Sequence, residues 1–175
     1  MSASTVSPLP RGKTADDATL SHLLGMEKKF PDVNFASSAA VKPVLSGMAV
    51  TCRYVSNENG SAILPGELVK ISSNTITGVE QADSGDDVCG IADEYLPTAG
   101  VADDEFFWIV VEGPTKVLAG ATISAGAHLG TDSTSGRAAA DASDPPNADV
   151  FGRAIAAGTD GNNFRAVVNC KRFGV

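Results

Sequence analysis

The side chains able to do chemistry in this 175-residue chain are few and far apart. There are two histidines, His22 and His128, and three cysteines, Cys52, Cys89 and Cys170. Nucleophilic catalysis needs a Ser or Cys beside a His that a third group orients. Neither histidine has a neighbouring carboxylate or nucleophile in such a pattern. Zinc would need clustered Cys and His ligands, and no C-x-x-C pair occurs. The acids Asp86-Asp87, Asp93-Glu94 and Asp103-Asp104-Glu105 supply oxygens, but at no calcium-loop spacing. G-x-S-x-G, P-loop, G-x-G-x-x-G and H-E-x-x-H patterns are all missing. No catalytic, metal-binding or cofactor-binding residue is assigned, and the chain reads as a non-enzyme.

The elements that would carry these residues look like strands. The cysteines sit in apolar, strand-like runs, where a free thiol acts as a small hydrophobe. The run Phe106-Phe-Trp-Ile-Val-Val111 is apolar without a break and rich in aromatic and β-branched types, so it reads as a strand buried on both faces. One face of Phe106, Phe107, Trp108 and Ile109 fills a core, and the other needs a partner, either the N-terminal helix or a neighbouring subunit. The sequence also repeats itself. Pro65-Gly-Glu-Leu-Val-Lys-Ile71 precedes Val88-Cys-Gly-Ile-Ala92, and Ala125-Gly-Ala-His-Leu-Gly130 precedes Val150-Phe-Gly-Arg-Ala154. Two copies of one β unit folding into a barrel would produce this.

Short strands are expected at Met48–Val55, Leu68–Ser72, Thr75–Val79, Val88–Ala92, Ala127–Gly130, Val150–Ala156 and Asn163–Arg172. Phe106–Val111 and Thr115–Leu118 are expected as a hairpin around Glu112-Gly113-Pro114. Residues 131–147, rich in Ser, Asp, Ala and Pro, are expected as a loop. With 18 glycines and 9 prolines as turn formers, the fold class is mainly β: a compact barrel or sandwich of short strands with an extended N-terminal arm.

That arm is residues 1–40, and the β domain is residues 41–175. Residues 1–14 are poor in apolar groups. Ala15 to Lys29 reads as one short helix, with Leu20, Leu23 and Leu24 on one face and Phe30-Pro31 as its stop. A helix this short needs a surface to dock on. Leu20, Leu23, Leu24 and Phe30 are therefore expected to anchor the arm on an adjacent subunit or another protein, with an arm folded back onto its own β domain as the other reading.

Charge sets the arm apart. Residues 1–40 carry Arg11, Lys13, Lys28 and Lys29 against Asp16, Asp17, Glu27 and Asp32, so the whole net charge of −8 lies beyond residue 40. A domain of that sign repels phosphate backbones, which argues against nucleic-acid binding. No stretch is long and apolar enough for a membrane span, and Met1 to Pro8 lacks the regions of a signal peptide, so synthesis in the cytoplasm is expected. Asn59-Gly-Ser61 reads as a turn.

The phrases Leu64-Pro-Gly-Glu-Leu-Val-Lys70, Val88-Cys-Gly-Ile-Ala92, Ala125-Gly-Ala-His-Leu129 and Val150-Phe-Gly-Arg-Ala154 lie within residues 62–175. That region resembles the small β-barrel proteins that decorate or cement the capsids of tailed bacteriophages. The longer N-terminal segment and the acidic stretch 80–105 depart from the pattern. The resemblance implies a structural virion protein on the outer surface of an icosahedral head, bound to the major capsid protein as a homotrimer, with no cofactor. Two other readings stand beside it: another structural component of the particle, such as a head-fibre or tail base, and a soluble ligand-binding β-barrel.

Overall fold

The computed structural model describes residues 11–15, 18–31, 33–34, 42–43, 49–143, 146 and 149–170. Its strands are β1 (Glu27–Pro31), β2 (Val33–Asn34), β3 (Lys42–Pro43), β4 (Ala49–Asn57), β5 (Leu68–Ile71), β6 (Gly78–Gln81), β7 (Gly90–Ala92), β8 (Phe106–Leu118), β9 (His128–Thr131), β10 (Ala138–Asp141), β11 (Gly152–Ala154) and β12 (Asn163–Asn169). A 3-10 helix covers Ala18–Leu23. Ten strands form one mixed sheet in the order β1-β4-β6-β5-β7-β8-β12-β11-β9-β10, and β2 pairs with β3. The chain is mainly β, as its composition implies.

The sheet closes on itself twice. β4 pairs with β6 in parallel and also with β8 antiparallel, so β4-β6-β5-β7-β8 is a complete ring of strands. Beyond it, β8-β12-β11-β9-β10 is closed by the parallel bridge between Ala119 and Ala138. The result is two lobes that share β8.

The lobes are copies of one unit. Gly66 N donates to Ala92 O at 2.9 Å, and Gly126 N donates to Ala154 O at 2.9 Å. Ala92 N to Glu67 O is matched by Ala154 N to Ala127 O, and Cys89 N to Val69 O by Phe151 N to Leu129 O. Gly66 and Gly126 have φ of 87° and 84°, a left-handed turn that favours glycine. The spacing seen in the sequence is thus a repeat of hydrogen bonds.

β8 is one strand of 13 residues, not the expected hairpin. Gly113, with φ of 114°, and Pro114 twist it where its partners change. Up to Glu112 it pairs with β4, and from Glu112 onward with β12. Its alternation feeds two cores. Phe107, Ile109 and Val111 join Val55, Ile63, Val69 and Val79 inside the first lobe. Trp108 and Val110 point the other way, into a cluster with Val50, Cys52, Tyr54, Ile91 and the interior of the second lobe.

Two further expectations are corrected. Residues 131–147 contain β10, whose Ala138-Ala139-Ala140 is a weak strand former held by its register on β9. The α-helix over 15–29 is a six-residue 3-10 helix followed by β1. Gly25, at φ 82°, ends the helix, and its N–H donates to Tyr54 O at 2.7 Å. β1 then pairs with β4 from Glu27↔Arg53 to Pro31↔Ala49. Pairing with β4 overrides the helical spacing of the leucines.

Candidate attachment surface

The residues first considered for chemistry end up apart. His22 is exposed and His128 half-buried on β9. Cys52, Cys89 and Cys170 are buried free thiols. Burial pushes Cys52 and Cys89 up to about 12 and raises Cys170 as well, so none is poised as a thiolate. Among the described residues no group of three or more His, Cys, Asp and Glu is placed to hold a metal ion. The acids serve the fold. Asp86 meets Lys70 Nζ at 2.7 Å, and Glu94 takes both Lys116 at 3.5 Å and Arg165 at 3.2 Å. Asp83 accepts from Ser135 Oγ, and Gly136 N donates to Ala82 O at 2.8 Å, which ties the lobes together.

The N-terminal segment is built onto the first lobe. Arg11 Nε donates to Asp93 Oδ2 at 2.8 Å and Arg11 Nη2 to Oδ1 at 2.9 Å, with the Asp93 side chain wholly out of solvent. The guanidinium lies 4.7 Å from the centre of the Tyr95 ring. Burial works against the Arg11 charge, but the hydrogen bonds and charge of Asp93 outweigh it, and the Arg11 pKa is raised. Ala15 then bridges to Phe106.

The four residues expected to anchor the arm all lie along this path. Leu20 is buried in the cluster of Trp108, and Leu23, Leu24 and Phe30 pack on it. Phe30 meets Trp108 edge to face, with ring centres 5.4 Å apart. In the single chain these side chains lie on their own lobe, which is the second of the two dockings open to the arm. They fill the second face of Phe106–Ile109, the face for which a neighbouring subunit was the other expected partner.

The exposed large apolar side chains among the described residues are Leu64, Ile76 and Ile155, at 39, 73 and 56 %. Ile155 borders a mainly apolar groove, of about 450 Å³, along the outer face of β11 and β12, while Ile76 lines a smaller one, of about 230 Å³, with Gly25, Glu27, Arg53 and Thr77. Val150, Ile155 and Val167 line the larger groove, with Arg153 and Asn169 as its polar members. Arg153 Nε donates to Gly126 O at 2.8 Å. Arg11, Arg53, Arg137 and Arg165 each meet a carboxylate, whereas Arg153 has no salt bridge among the described residues. Sequence reasoning missed this groove, although the repeat spacing already aligned Ile155 with Asp93.

Comparison with known protein families and with curated protein sequences finds no match. Among solved structures, the chain is similar to the N base of the head fibre gp8.5 of bacteriophage phi29. The TM-score is 0.50 at 17 % identity, over 69 % of this chain and 95 % of that one. At this identity the likeness is one of fold.

Proposed function

We propose that this chain is a structural protein attached to the head of a phage particle, and that it serves as the base of a head fibre. One observation carries the reading: the fold likeness takes in 95 % of the phi29 head-fibre base. The head surface is also where the sequence resemblance to capsid decoration proteins puts it, so the two lines agree on location and differ on role. The fibre-base role is preferred to the cement role because the fold likeness is to a fibre base. A homotrimer was expected partly from an uncovered face of β8, and the N-terminal segment covers that face. Trimer formation now rests on the resemblance alone.

Imaging of particles made with and without this chain tests the proposal. A fibre base predicts that its loss removes projections and leaves heads as heat-resistant as before. A cement predicts heads that rupture at lower temperature. Purified chain with no affinity for heads made without it removes both roles.

A further inference from the structure

Two lobes made from one unit present the same outer face twice, and the described residues cover only one of them. The step of 62 residues sets Gly90-Ile91-Ala92-Asp93 against Gly152-Arg153-Ala154-Ile155. Strand register extends the match: Ile91 pairs with Val110 and Ala92 with Ile109, as Arg153 pairs with Val167 and Ala154 with Ala166. Trp108 thereby corresponds to Arg165, and Val88 to Val150. In the first lobe Val88, Ile91, Trp108 and Val110 have no solvent exposure. The N-terminal segment crosses that face, with Arg11 on Asp93 and Phe30 on Trp108. In the second lobe Arg153 is exposed, Val150, Arg165 and Val167 are half-buried, and Ile155 is 56 % exposed.

The reason lies in what packs on each face. The first lobe has both the N-terminal segment and the core of the second lobe packed against that face, whereas the second is entered directly from the first through β8, and no described segment crosses its corresponding face. The side chains at the seat have also changed character. Where the first lobe offers the Asp93 carboxylate to an arginine, the second offers apolar Ile155, next to Arg153 without a described carboxylate partner. The occupant that fits is the converse of Arg11: an apolar side chain for Ile155 and Val167, and a carboxylate for Arg153. A second copy of this chain is a poor source. Each copy carries −8, so copies repel, and several of its acids are already engaged by Lys70, Lys116 and Arg165.

We propose that the β11–β12 groove seats an extended segment of a head-shell protein, which presents an apolar side chain to Ile155 and Val167 and a carboxylate to Arg153. This rests on the head-attachment reading above.

The test measures binding of full-length chain to heads made without it, for wild type, Ile155→Glu, Arg153→Glu and the control Ile76→Glu, together with thermal melts and sedimentation. The groove model expects wild type and Ile76→Glu to bind alike, and both groove variants to bind about tenfold more weakly or worse, as for a hot-spot side chain. Their melting temperatures and sedimentation should match wild type. Groove variants that bind heads as wild type does overturn the groove and leave head attachment standing. Wild type that binds no heads overturns head attachment, and the proposed occupant with it. Two other outcomes overturn the head-shell occupant. Loss of a solution oligomer in Ile155→Glu shows that a second copy fills the groove. A marked fall in its melting temperature shows that the chain's own residues fill it.

Discussion

Arg11 holds Asp93 through two hydrogen bonds, of 2.8 and 2.9 Å, across 82 positions of sequence. That pair fixes the first described residue of the N-terminal segment to the end of β7, and the segment runs on over Trp108. It also makes Arg11 a structural residue despite its place near the start of the chain.

Removing one partner should show this. Arg11→Ala leaves a carboxylate with no solvent exposure and no counter-charge, which costs about 3 kcal/mol. The double variant Arg11→Ala with Asp93→Asn removes the stranded charge and should be the more stable of the two. Urea denaturation of both checks it. A loss below about 1 kcal/mol in Arg11→Ala would mean that the pair behaves as a surface ion pair.

The repeat makes a second prediction, a ranking. Ala at Gly66 or Gly126 is strained by the positive φ at each, which costs about 1 kcal/mol. A Cβ on Gly66 would also run into Asn163 Oδ1 and come within 3.3 Å of Leu118 N, while one on Gly126 meets only Arg153, at 4.0 Å. Gly66→Ala should therefore lower the melting temperature more than Gly126→Ala. The reverse order would mean that the approach of Asn163 and Leu118 to Gly66 does not set the cost of a side chain there.

Those glycines also show what the sequence could reveal. The two turns and the strand Phe106–Val111 are legible because each rests on a local necessity: a left-handed residue, or an unbroken apolar run too short for a helix. The N-terminal segment was misread because Leu20, Leu23 and Leu24 have helical spacing, and nothing local announces that β4 will capture residues 27–31. β10 was missed because its alanines carry no strand signal and its register comes from β9. Arg11 and Asp93, like the groove beside Ile155, are products of long-range folding. Only the repeat spacing hinted at the groove.

A third prediction concerns pH. Glu67 is buried and accepts from Leu64 N at 2.7 Å. Burial raises its pKa, although the hydrogen bonds from Leu64 and Gln81 and the charge of Arg137 pull it back. With a raised pKa, the folded chain holds this proton more tightly than the unfolded chain. Its contribution is then fully present below the ordinary glutamate value of about 4.3 and is lost as pH rises through the folded value. Glu67→Gln keeps an acceptor for Leu64 N–H and removes the titration. Its stability relative to wild type should rise from pH 4 to pH 7, read from melts across that range. A constant difference between the two proteins would show that Glu67 titrates as it does in the unfolded chain.

The last prediction asks whether the N-terminal segment belongs to its own lobe or is available to a neighbour. Leu20 is 8 % exposed, Phe30 meets the Trp108 ring, and β1 pairs with β4 over five residue pairs. Deleting residues 1–31 would strip this cover from Trp108 and Tyr54, both wholly buried, and leave Asp93 without Arg11. Burying a large aromatic side chain contributes about 2 kcal/mol, so exposing two of them would remove much of the stability of a domain this size. The truncated chain should melt at a clearly lower temperature, with Trp108 fluorescence shifted to the red. If the truncated chain melts with wild type and its Trp108 stays dry, the segment is only resting on the lobe. Its four apolar side chains would then be free to clasp an adjacent chain, as their sequence first suggested.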